Sequence, residues 1–376
     1  MKKLLLSVLV ASALLSGCKG VSEAPQASNN DFIHSTYIAK SRIKSQEMIQ
    51  TIDFDSFEYL YIMAYPNFKD MDFSLPLDVI IDSMVTKFEY PKDKSGVELV
   101  ALFVKEAQKS GTKVLLSFAH DGFLPIVENK ETQDKFAEMM VQFMSKYGYD
   151  GIEIDWEHTV TLPLHADLMR NIRMRLDERY PNEHKLLASA LHSWQKYSPE
   201  LAAEVSKDVD WFNLMCYDIG GGNWGSIPSH NTPMDVIMKD VEYWASVFDK
   251  DKISVGLANY GFIYRGLSPG ENSQEKGGLK KCGSYISYNK ALELIDSGWE
   301  ANYDSVAQVN YFFSPDKTDF IAIENHETIN NKLKWFDENG FKRIFWWEYE
   351  YDIILPTQTG ERVSHHLIDL VTDYKK

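Results

Sequence analysis

The sequence is poor in cysteine, with only Cys18, Cys216 and Cys282 among 376 residues. Cys216 falls in an apolar stretch and Cys282 in a polar one, and nothing in their spacing favours a disulfide or indicates a metal cluster. Basic residues are scarce as well, because 39 Lys and Arg stand against 55 Asp and Glu and give a formal net charge of −16. This surplus of negative charge argues against nucleic acid and anionic membrane surfaces as partners, and it favours a neutral or cationic ligand.

The sequence begins with an apolar run, Leu4–Leu15, that is too short for a stable membrane helix and has the length of a secretory signal. Two lysines precede this run, and Leu-Ser-Gly-Cys ends it, which resembles the signal of bacterial lipoproteins. The resemblance implies a lipoprotein signal peptide over residues 1–17, lipidation of Cys18 and a flexible tether over residues 18–30. An ordinary secretory signal is the alternative. Lys19, directly after the cysteine, favours the outer membrane of a Gram-negative bacterium as the location of the anchor.

The sequence has no glycine-rich phosphate-binding fingerprint and no internal repeat. From residue 31 onward, strand-like and helix-like segments alternate, which predicts a parallel α/β architecture. Eight strands favour a TIM (β/α)8 barrel, since a doubly wound sheet would need fewer strands. The predicted strands are Phe32–Ala39, Phe57–Tyr65, Lys113–Ala119, Tyr149–Glu157, Leu186–Leu191, Trp211–Tyr217, Ile253–Tyr260 and Ile344–Trp347. We therefore expect one catalytic barrel over residues 31–376, with a small α+β insertion at about 267–325 between strands seven and eight.

The fourth predicted strand carries three acidic residues, Glu153, Asp155 and Glu157, which alternate with large apolar residues. Side chains two apart in a strand share a face and lie about 6.6 Å apart along the chain. Three carboxylates this close cannot all ionise cheaply, so at least one pKa should rise and the three groups should titrate together. A carboxylic acid that stays protonated near neutral pH can act as a general acid. A solvated acidic edge or a cation site is the alternative interpretation.

Other polar and aromatic residues follow the predicted strands at the same end of the barrel. Function in TIM barrels lies at the carboxyl ends of the strands. At these ends lie His120 on the third strand, Glu157 on the fourth, Tyr217 and Asp218 on the sixth, Tyr260 with Arg265 beyond it on the seventh, and Trp347 on the eighth. We expect these residues to gather at one mouth, and we expect no metal or other cofactor there.

The acidic strand, in its context YGYDGIEIDWE, resembles the DGxDxDxE signature of glycoside hydrolase family 18, the chitinases and their relatives. KVLLSFAHDG, FNLMCYD, ISVGLANYGFIYRG and RIFWWEYEYD follow in the order in which that family has its corresponding strands. The predicted insertion also resembles one that many of these chitinases carry. The resemblance covers residues 31–375 and implies a glycosidase.

The resemblance also implies a role for each matching residue. Glu157 matches the general acid that protonates the glycosidic oxygen, and Asp155 matches the residue that turns toward the substrate's acetamido group. Tyr217 matches the hydroxyl that hydrogen-bonds the acetamido carbonyl, with Asp218 beside it. Trp347 matches the aromatic floor beneath the sugar.

The sequence departs from the family pattern at three places. Glu153 stands where the family usually has Asp, which lengthens the reach of the carboxylate. His120 occupies a position of the third-strand motif where the family has Gly, and His158 follows the acid where many members have Tyr. We expect Glu153 and His120 to bind or line the substrate, together with Tyr260 and Arg265.

The shared face of Asp155 and Glu157 restricts the mechanism. Ordinary retaining hydrolases place two carboxylates on opposite sides of the bond, about 5–5.5 Å apart, whereas family 18 uses the substrate's own acetamido oxygen as the nucleophile. The resemblance therefore implies a retaining hydrolase of β-1,4-linked N-acetylglucosamine glycans, such as chitin or chitooligosaccharides. An endo-β-N-acetylglucosaminidase acting on N-glycans and a catalytically dead glycan-binding lectin are the alternatives. We expect a monomer.

Overall fold

Eight parallel strands close into a barrel. The computed structural model describes residues 32–64, 68, 71–88, 95–120, 122–358 and 360–374. The barrel strands are β1 (Ile33–Ala39), β2 (Tyr59–Ala64), β3 (Lys113–His120), β4 (Gly151–Trp156), β5 (Leu186–His192), β6 (Trp211–Met215), β7 (Ile253–Ala258) and β13 (Arg343–Trp347). Their order around the barrel follows the chain, and β13 closes the ring by pairing with β1 in parallel. The predicted TIM barrel is confirmed.

Helices surround the barrel and connect its strands. They are α1 (Gln46–Thr51), α2 (Leu77–Phe88), α3 (Ser95–Lys109), α4 (Leu124–Val127), α5 (Lys130–Tyr147), α6 (Leu162–Arg179), α7 (Pro199–Val205), α8 (Met234–Ala245), α11 (His326–Glu338) and α12 (Asp369–Asp373). Local sequence sets the bounds of α5, the helix that leads into β4. The side chain of Asn129 accepts hydrogen bonds from the first-turn N–H groups, and Gly148 ends the helix in the left-handed conformation, with φ 74°.

The insertion between β7 and β13 forms a second, antiparallel sheet. Its strands are β8 (Tyr260–Arg265), β9 (Gly283–Ser287), β10 (Glu300–Asp304), β11 (Val309–Phe313) and β12 (Asp319–Ile323), in the order β10-β11-β12-β8-β9, with helices α9 (Leu279–Cys282) and α10 (Tyr288–Ile295). A short pair, β14 (Ile353–Ile354) and β15 (Ser364–His365), follows β13.

The start of this insertion differs from the prediction. The sequence pattern runs the seventh strand on to Tyr260, whereas β7 ends at Ala258 and Tyr260 already pairs with Ser287 of the second sheet. Apolar and aromatic residues continue on both sides of Asn259, and this hides the point at which the chain leaves one sheet for the other, because both environments bury such residues. The insertion sheet therefore begins at Tyr260 and not near residue 267.

The predicted signal peptide, the tether and Cys18 lie outside the described residues, which begin at Phe32. Cys216 and Cys282 are both buried and carry free thiols. Across the described part of the chain, no helix has the length and apolar character needed to cross a membrane.

Candidate active site

Strand β4 carries its three carboxylates at increasing distance from the protein interior. Glu153 is completely buried and Asp155 is 3% exposed, whereas Glu157, one residue past the end of the strand, is partly open to solvent. The alternating residues of the strand, including Ile154 and Trp156, are buried in the large apolar cluster of the protein. The carboxylates therefore share the other face, as the period-2 pattern predicts.

Small residues on the neighbouring strands leave room for the two buried carboxylates. Glu153 lies in register between Ser117 of β3 and Ala188 of β5, and Asp155 between Ala119 and Ala190. Larger side chains at these four positions would compete with the carboxylates for the same volume inside the barrel.

Burial raises the pKa of both inner carboxylates. For Glu153 it raises the pKa to about 7, against hydrogen bonds that favour the charged form, including one from the hydroxyl of Tyr37. For Asp155, burial acts first and the charges of Glu157 and Glu153 add to it, so that its pKa lies well above the ordinary range. This is the behaviour expected of like charges on one strand face.

A one-way chain of hydrogen bonds ends on Glu153. The indole N–H of Trp211 donates to the hydroxyl of Tyr61 over 2.8 Å, and that hydroxyl donates to Asn213 Oδ1 over 3.3 Å. Asn213 Nδ2 donates to the hydroxyl of Tyr37, which donates to Glu153 Oε1, each over 2.9 Å. Because an indole N–H can only donate, the direction of every later bond follows from it. Glu153 Oε1 therefore accepts a hydrogen bond, which makes Oε2 the favoured position for a proton on Glu153.

A cavity of about 440 Å³ opens at the carboxyl ends of the barrel strands, beside the two outer carboxylates. It brings together six residues predicted from the sequence: Asp155, Glu157, Tyr217, Asp218, Tyr260 and Trp347. His192, Met215, Tyr285, Ile286, Ser287 and Tyr351 complete its lining. The cavity thus has an acidic group at one wall and aromatic rings around it, which suits a ligand with both polar groups and flat apolar faces.

The backbone after β6 aims Asp218 into this cavity. Asp218 has φ 55°, in the left-handed region, and its N–H donates to Asn231 Oδ1 over 2.6 Å. The hydroxyl of Tyr260 donates to Asp218 Oδ1 over 2.8 Å. Burial, with a smaller contribution from the charge of Glu157, raises the pKa of Asp218 to about 6, against the hydrogen bond from Tyr260. Asp218 is therefore an anchored wall of the site.

The position of the Tyr217 ring depends on the absence of a side chain at Gly256 of the adjacent strand β7. A Cβ added to Gly256 would lie 2.9 Å from the Tyr217 ring and 2.6 Å from the Phe345 ring, so a side chain there would displace both. Burial raises the pKa of Tyr217 well above its usual value, and the nearby charge of Asp155 adds to this. The hydroxyl of Tyr217 therefore stays protonated and can donate a hydrogen bond into the cavity.

Three predicted site residues are not part of the described cavity wall. Glu153 lies behind Asp155 in the barrel interior, where it is completely buried and does not line the cavity. Arg265 points away from the cavity and donates to Ser284 Oγ over 3.0 Å on the exposed side of the insertion sheet. His120 ends β3, and its side chain lies outside the described part of the structure.

The sequence interpretation missed residues that only the tertiary fold brings to the cavity. His192 ends β5, a strand for which no site residue was predicted, although its position at the carboxyl end was a signal that could have identified it. Tyr285, Ile286 and Ser287 come from β9 of the insertion, about seventy residues after Tyr217 in the chain. Within the described residues, no group of three or more His, Cys, Asp or Glu side chains is arranged to hold a metal ion.

The fold and the site together define a TIM barrel with a carboxylate-lined cavity at the carboxyl ends of its strands. The chain belongs to the glycosyl hydrolases family 18, whose family model matches residues 37–352. Among its relatives are Chitinase A1 of Niallia circulans, 24% identical over 273 residues, and Chitinase 1 of Aphanocladium album, 26% identical over 274 residues. These matches cover 61% and 66% of this chain, but only 38% and 63% of the two relatives.

Solved structures share the fold at low sequence identity. A family 18 chitinase from Cycas revoluta in complex with (GlcNAc)3 aligns with a TM-score of 0.68 at 15% identity, covering 90% of this chain and 97% of that one. A family 18 N-acetylglucosaminidase from Paenibacillus barengoltzii aligns with a TM-score of 0.66 at 18% identity, covering 91% and 99%.

Proposed function

We propose that this protein hydrolyses β-1,4-linked N-acetylglucosamine glycans, chitin or chitooligosaccharides, with retention of configuration. The observation that carries the proposal is the increase in solvent exposure along the three carboxylates of β4. Glu157 alone among the three carboxylates is both partly exposed and at the cavity, while Asp155 stands directly behind it and Glu153 is sealed in the interior.

Glu157 is the general acid and later the general base in this mechanism. Its carboxyl proton goes to the glycosidic oxygen as the bond from that oxygen to C1 breaks, and the 2-acetamido carbonyl oxygen of the same sugar attacks C1 to form an oxazolinium ion. Glu157, now a carboxylate, takes a proton from water, and the water oxygen opens the ring at C1. Two inversions at C1 retain the configuration.

Asp155 and Tyr217 support the acetamido group. Asp155 Oδ1 is buried and has no hydrogen-bond partner among the described residues. When the side chain turns toward the cavity, this oxygen can accept the acetamido N–H and oppose the positive charge of the oxazolinium ion. The hydroxyl of Tyr217 donates to the acetamido carbonyl oxygen and holds it below C1, and Trp347 offers its ring as the floor of the subsite.

Asp218 is the carboxylate of the cavity that does not belong to the row on β4, so a covalent mechanism with a nucleophile on another strand would use it. Its hydrogen bond from Tyr260 and its fixed backbone hold it in place as a wall of the site. A thiazoline analogue of N-acetylglucosamine separates the two mechanisms, because it imitates the oxazolinium ion. Substrate assistance predicts competitive inhibition by the thiazoline and no cleavage of oligomers without acetyl groups. A trapped glycosyl ester on Asp218 would refute it.

The insertion favours chitin-type chains over the alternative, the core of N-glycans. Residues Tyr285–Ser287 of β9 add one side to the cavity, and we expect this added wall to favour a linear chain. The two activities are distinguished by incubating the protein with β-1,4-linked N-acetylglucosamine oligomers and, separately, with a high-mannose glycoprotein. Release of shorter oligomers supports the proposal, and release of the glycan alone supports the endo-β-N-acetylglucosaminidase. Binding without any cleavage supports the lectin.

The variant Glu157→Gln tests the assignment of the acid. We expect turnover of the oligomers to fall by roughly a hundredfold to ten-thousandfold, because general acid catalysis contributes about that much. Oligomer binding, measured by calorimetry, should persist because Gln keeps the shape of the side chain. Glu178→Gln, on the exposed surface of α6, is the matched control and should match the wild type. A Glu157→Gln variant that stays nearly as fast as the wild type would exclude Glu157 as the acid.

We also propose that the protein works as a monomer, held at the cell envelope through a lipid on Cys18. The lipoprotein-like residues 1–18 and the tether that follows support this location. Metabolic labelling with a radioactive fatty acid in the bacterial host tests it. Label in the wild type and none in Cys18→Ser is the expected result, and equal label in both would refute the anchor.

A further inference from the structure

A tryptophan with an unusually open side chain stands beside the catalytic cavity. Trp194 follows the end of β5 by two residues, and its side chain is 59% exposed. Its indole lies nearly parallel to the imidazole of His192, with ring centroids 5.1 Å apart and an angle of 13° between the planes. His192 lines the cavity together with Glu157. Trp194 therefore stacks on a residue of the cavity wall and is itself open to solvent, and we call this pair of rings the aromatic platform.

The loop that carries the platform is held from beneath. The indole N–H of Trp244 in α8 donates to the carbonyl oxygen of Ser193 over 2.8 Å, and Ser193 Oγ donates to Asp240 Oδ2 over 2.8 Å. On the other side, the backbone N–H of Gln195 donates to the carbonyl oxygen of His192 over 3.0 Å. The N–H of His192 in turn donates to the side-chain oxygen of Gln195 over 3.1 Å.

These bonds fix the residues before and after Trp194, and they leave its indole as the part of the loop that faces water. A rigid, preorganised aromatic surface loses little conformational freedom when a ligand stacks on it. Both faces of a β-1,4-linked N-acetylglucosamine ring present axial C–H groups, because its substituents are equatorial. Such a face can pack flat on an indole while its hydroxyl groups remain in water.

We propose that the platform of Trp194 and His192 is a sugar-binding subsite, which holds a pyranose ring of the glycan beyond the one at Glu157. The subsite rests on the proposed function, since its ligand is another unit of the same substrate chain. Oligomers long enough to span both positions gain affinity from it, and the shortest oligomers gain none. Trp194 thereby sets a preference for chain length without touching the reacting atoms.

The experiment measures how oligomers of two to six N-acetylglucosamine units bind to the Glu157→Gln protein, with and without Trp194→Ala. We expect the dissociation constant of the hexamer to rise about tenfold, equivalent to about 1.4 kcal/mol, while that of the dimer stays the same. Trp194→Phe should recover most of the loss because it keeps a flat ring. Tyr303→Ala is the matched control, since Tyr303 is also largely exposed (48%) but lies on β10, outside the catalytic cavity.

Each outcome decides between the subsite and the alternatives. The subsite would be overturned if Trp194→Ala did not change the affinity of the Glu157→Gln protein for any oligomer. It would also be overturned if oligomers of all lengths lost the same affinity, or if the hexamer did not bind at all. Turnover of the same oligomers by the wild-type protein tests the proposed function separately. If the wild type cleaves none of them while hexamer binding still depends on Trp194, the subsite stands and the hydrolytic function fails.

Discussion

Replacing Glu153 with Gln should stabilise the protein near neutral pH and change its stability little at acid pH. Burial raises the pKa of Glu153 from 4.5 to about 7. The folded protein therefore holds this proton over a pH range in which the unfolded chain has already lost it. As the pH rises from about 4.5 to about 7, the contribution of Glu153 to the free energy of unfolding therefore falls. The loss approaches about 3 kcal/mol, because each tenfold change in proton affinity corresponds to about 1.4 kcal/mol.

Glutamine at position 153 avoids this loss of stability at higher pH. It is neutral at every pH, and its amide oxygen can accept the hydrogen bond from Tyr37 that Glu153 Oε1 accepts. The one-way chain from Trp211 fixes that orientation, so the amide NH2 takes the place of the protonated Oε2. Removing a negative charge beside Asp155 also lowers the pKa of Asp155 toward its usual range, since the charge of Glu153 is one cause of its rise.

Denaturant unfolding followed by tryptophan fluorescence measures the effect. At about pH 8, Glu153→Gln should exceed the wild type by about 2–4 kcal/mol in free energy of unfolding, and at about pH 4 the two should agree within ~1 kcal/mol. Glu178→Gln should follow the wild type at both pH values. A difference of the same size at both pH values, or a variant that is less stable than the wild type at the higher pH, would refute the reasoning.

Two further variants test other buried polar groups. Tyr61→Phe removes a link in the hydrogen-bond chain and weakens the hold of Tyr37 on Glu153, so the pKa of Glu153 should rise. Because Glu153 interacts through charge with Asp155 and Glu157 at the cavity, the limb of the pH profile of kcat/KM set by this row should then move to higher pH with little change in KM. In the wild type, Lys332 Nζ lies 2.8 Å from Glu324 Oε1. Lys332→Met leaves the buried Glu324 without this ion-pair partner, so we expect the free energy of unfolding to fall by about 3–5 kcal/mol in the same denaturant assay.

Each of these variants has a matched control. Tyr197→Phe removes an equally buried hydroxyl that bonds His165 and not the carboxylate row, so it should leave the pH profile unchanged. An unshifted profile in Tyr61→Phe would show that the chain of hydrogen bonds does not reach Glu153. The double variant Lys332→Met with Glu324→Gln should recover much of the lost stability, because it removes the isolated charge. A double variant no more stable than Lys332→Met would assign the loss to packing.

The barrel could be predicted from the sequence because each strand carries its own local signal. Alternation in β4 and apolar runs in β6 and β7 need no knowledge of the rest of the chain. Glu157, Tyr217 and Trp347 then meet because parallel strands of a barrel bring their carboxyl ends to one mouth. The strand pattern thus predicted six of the twelve residues that line the cavity.

Other contributions to the site depend on contacts that no local pattern encodes. Tyr285 reaches the cavity through the folding of the insertion sheet, and β5 delivers His192 from a strand with no acidic signal. Trp211 resembles a core residue in the run WFNLMCY, although its indole N–H sets the direction of a hydrogen-bond chain. Such roles follow from partners far apart in sequence, which only the closed barrel defines.

The depth of each residue in the barrel explains why three chemically similar residues on one strand have different surroundings. The face of β4 runs from the packed interior to the mouth, so Glu153, Asp155 and Glu157 meet progressively more water. The innermost group accepts a hydrogen bond from the hydroxyl of Tyr37 at Oε1. The middle group is buried next to two like charges and has an unsatisfied oxygen, Oδ1, among the described residues. The outermost group is the one member of the row that is partly open to solvent, and it lines the cavity together with the middle group. We therefore expect the longer side chain of Glu153, compared with the Asp of the family pattern, to change the proton balance of the row while leaving Glu157 in place.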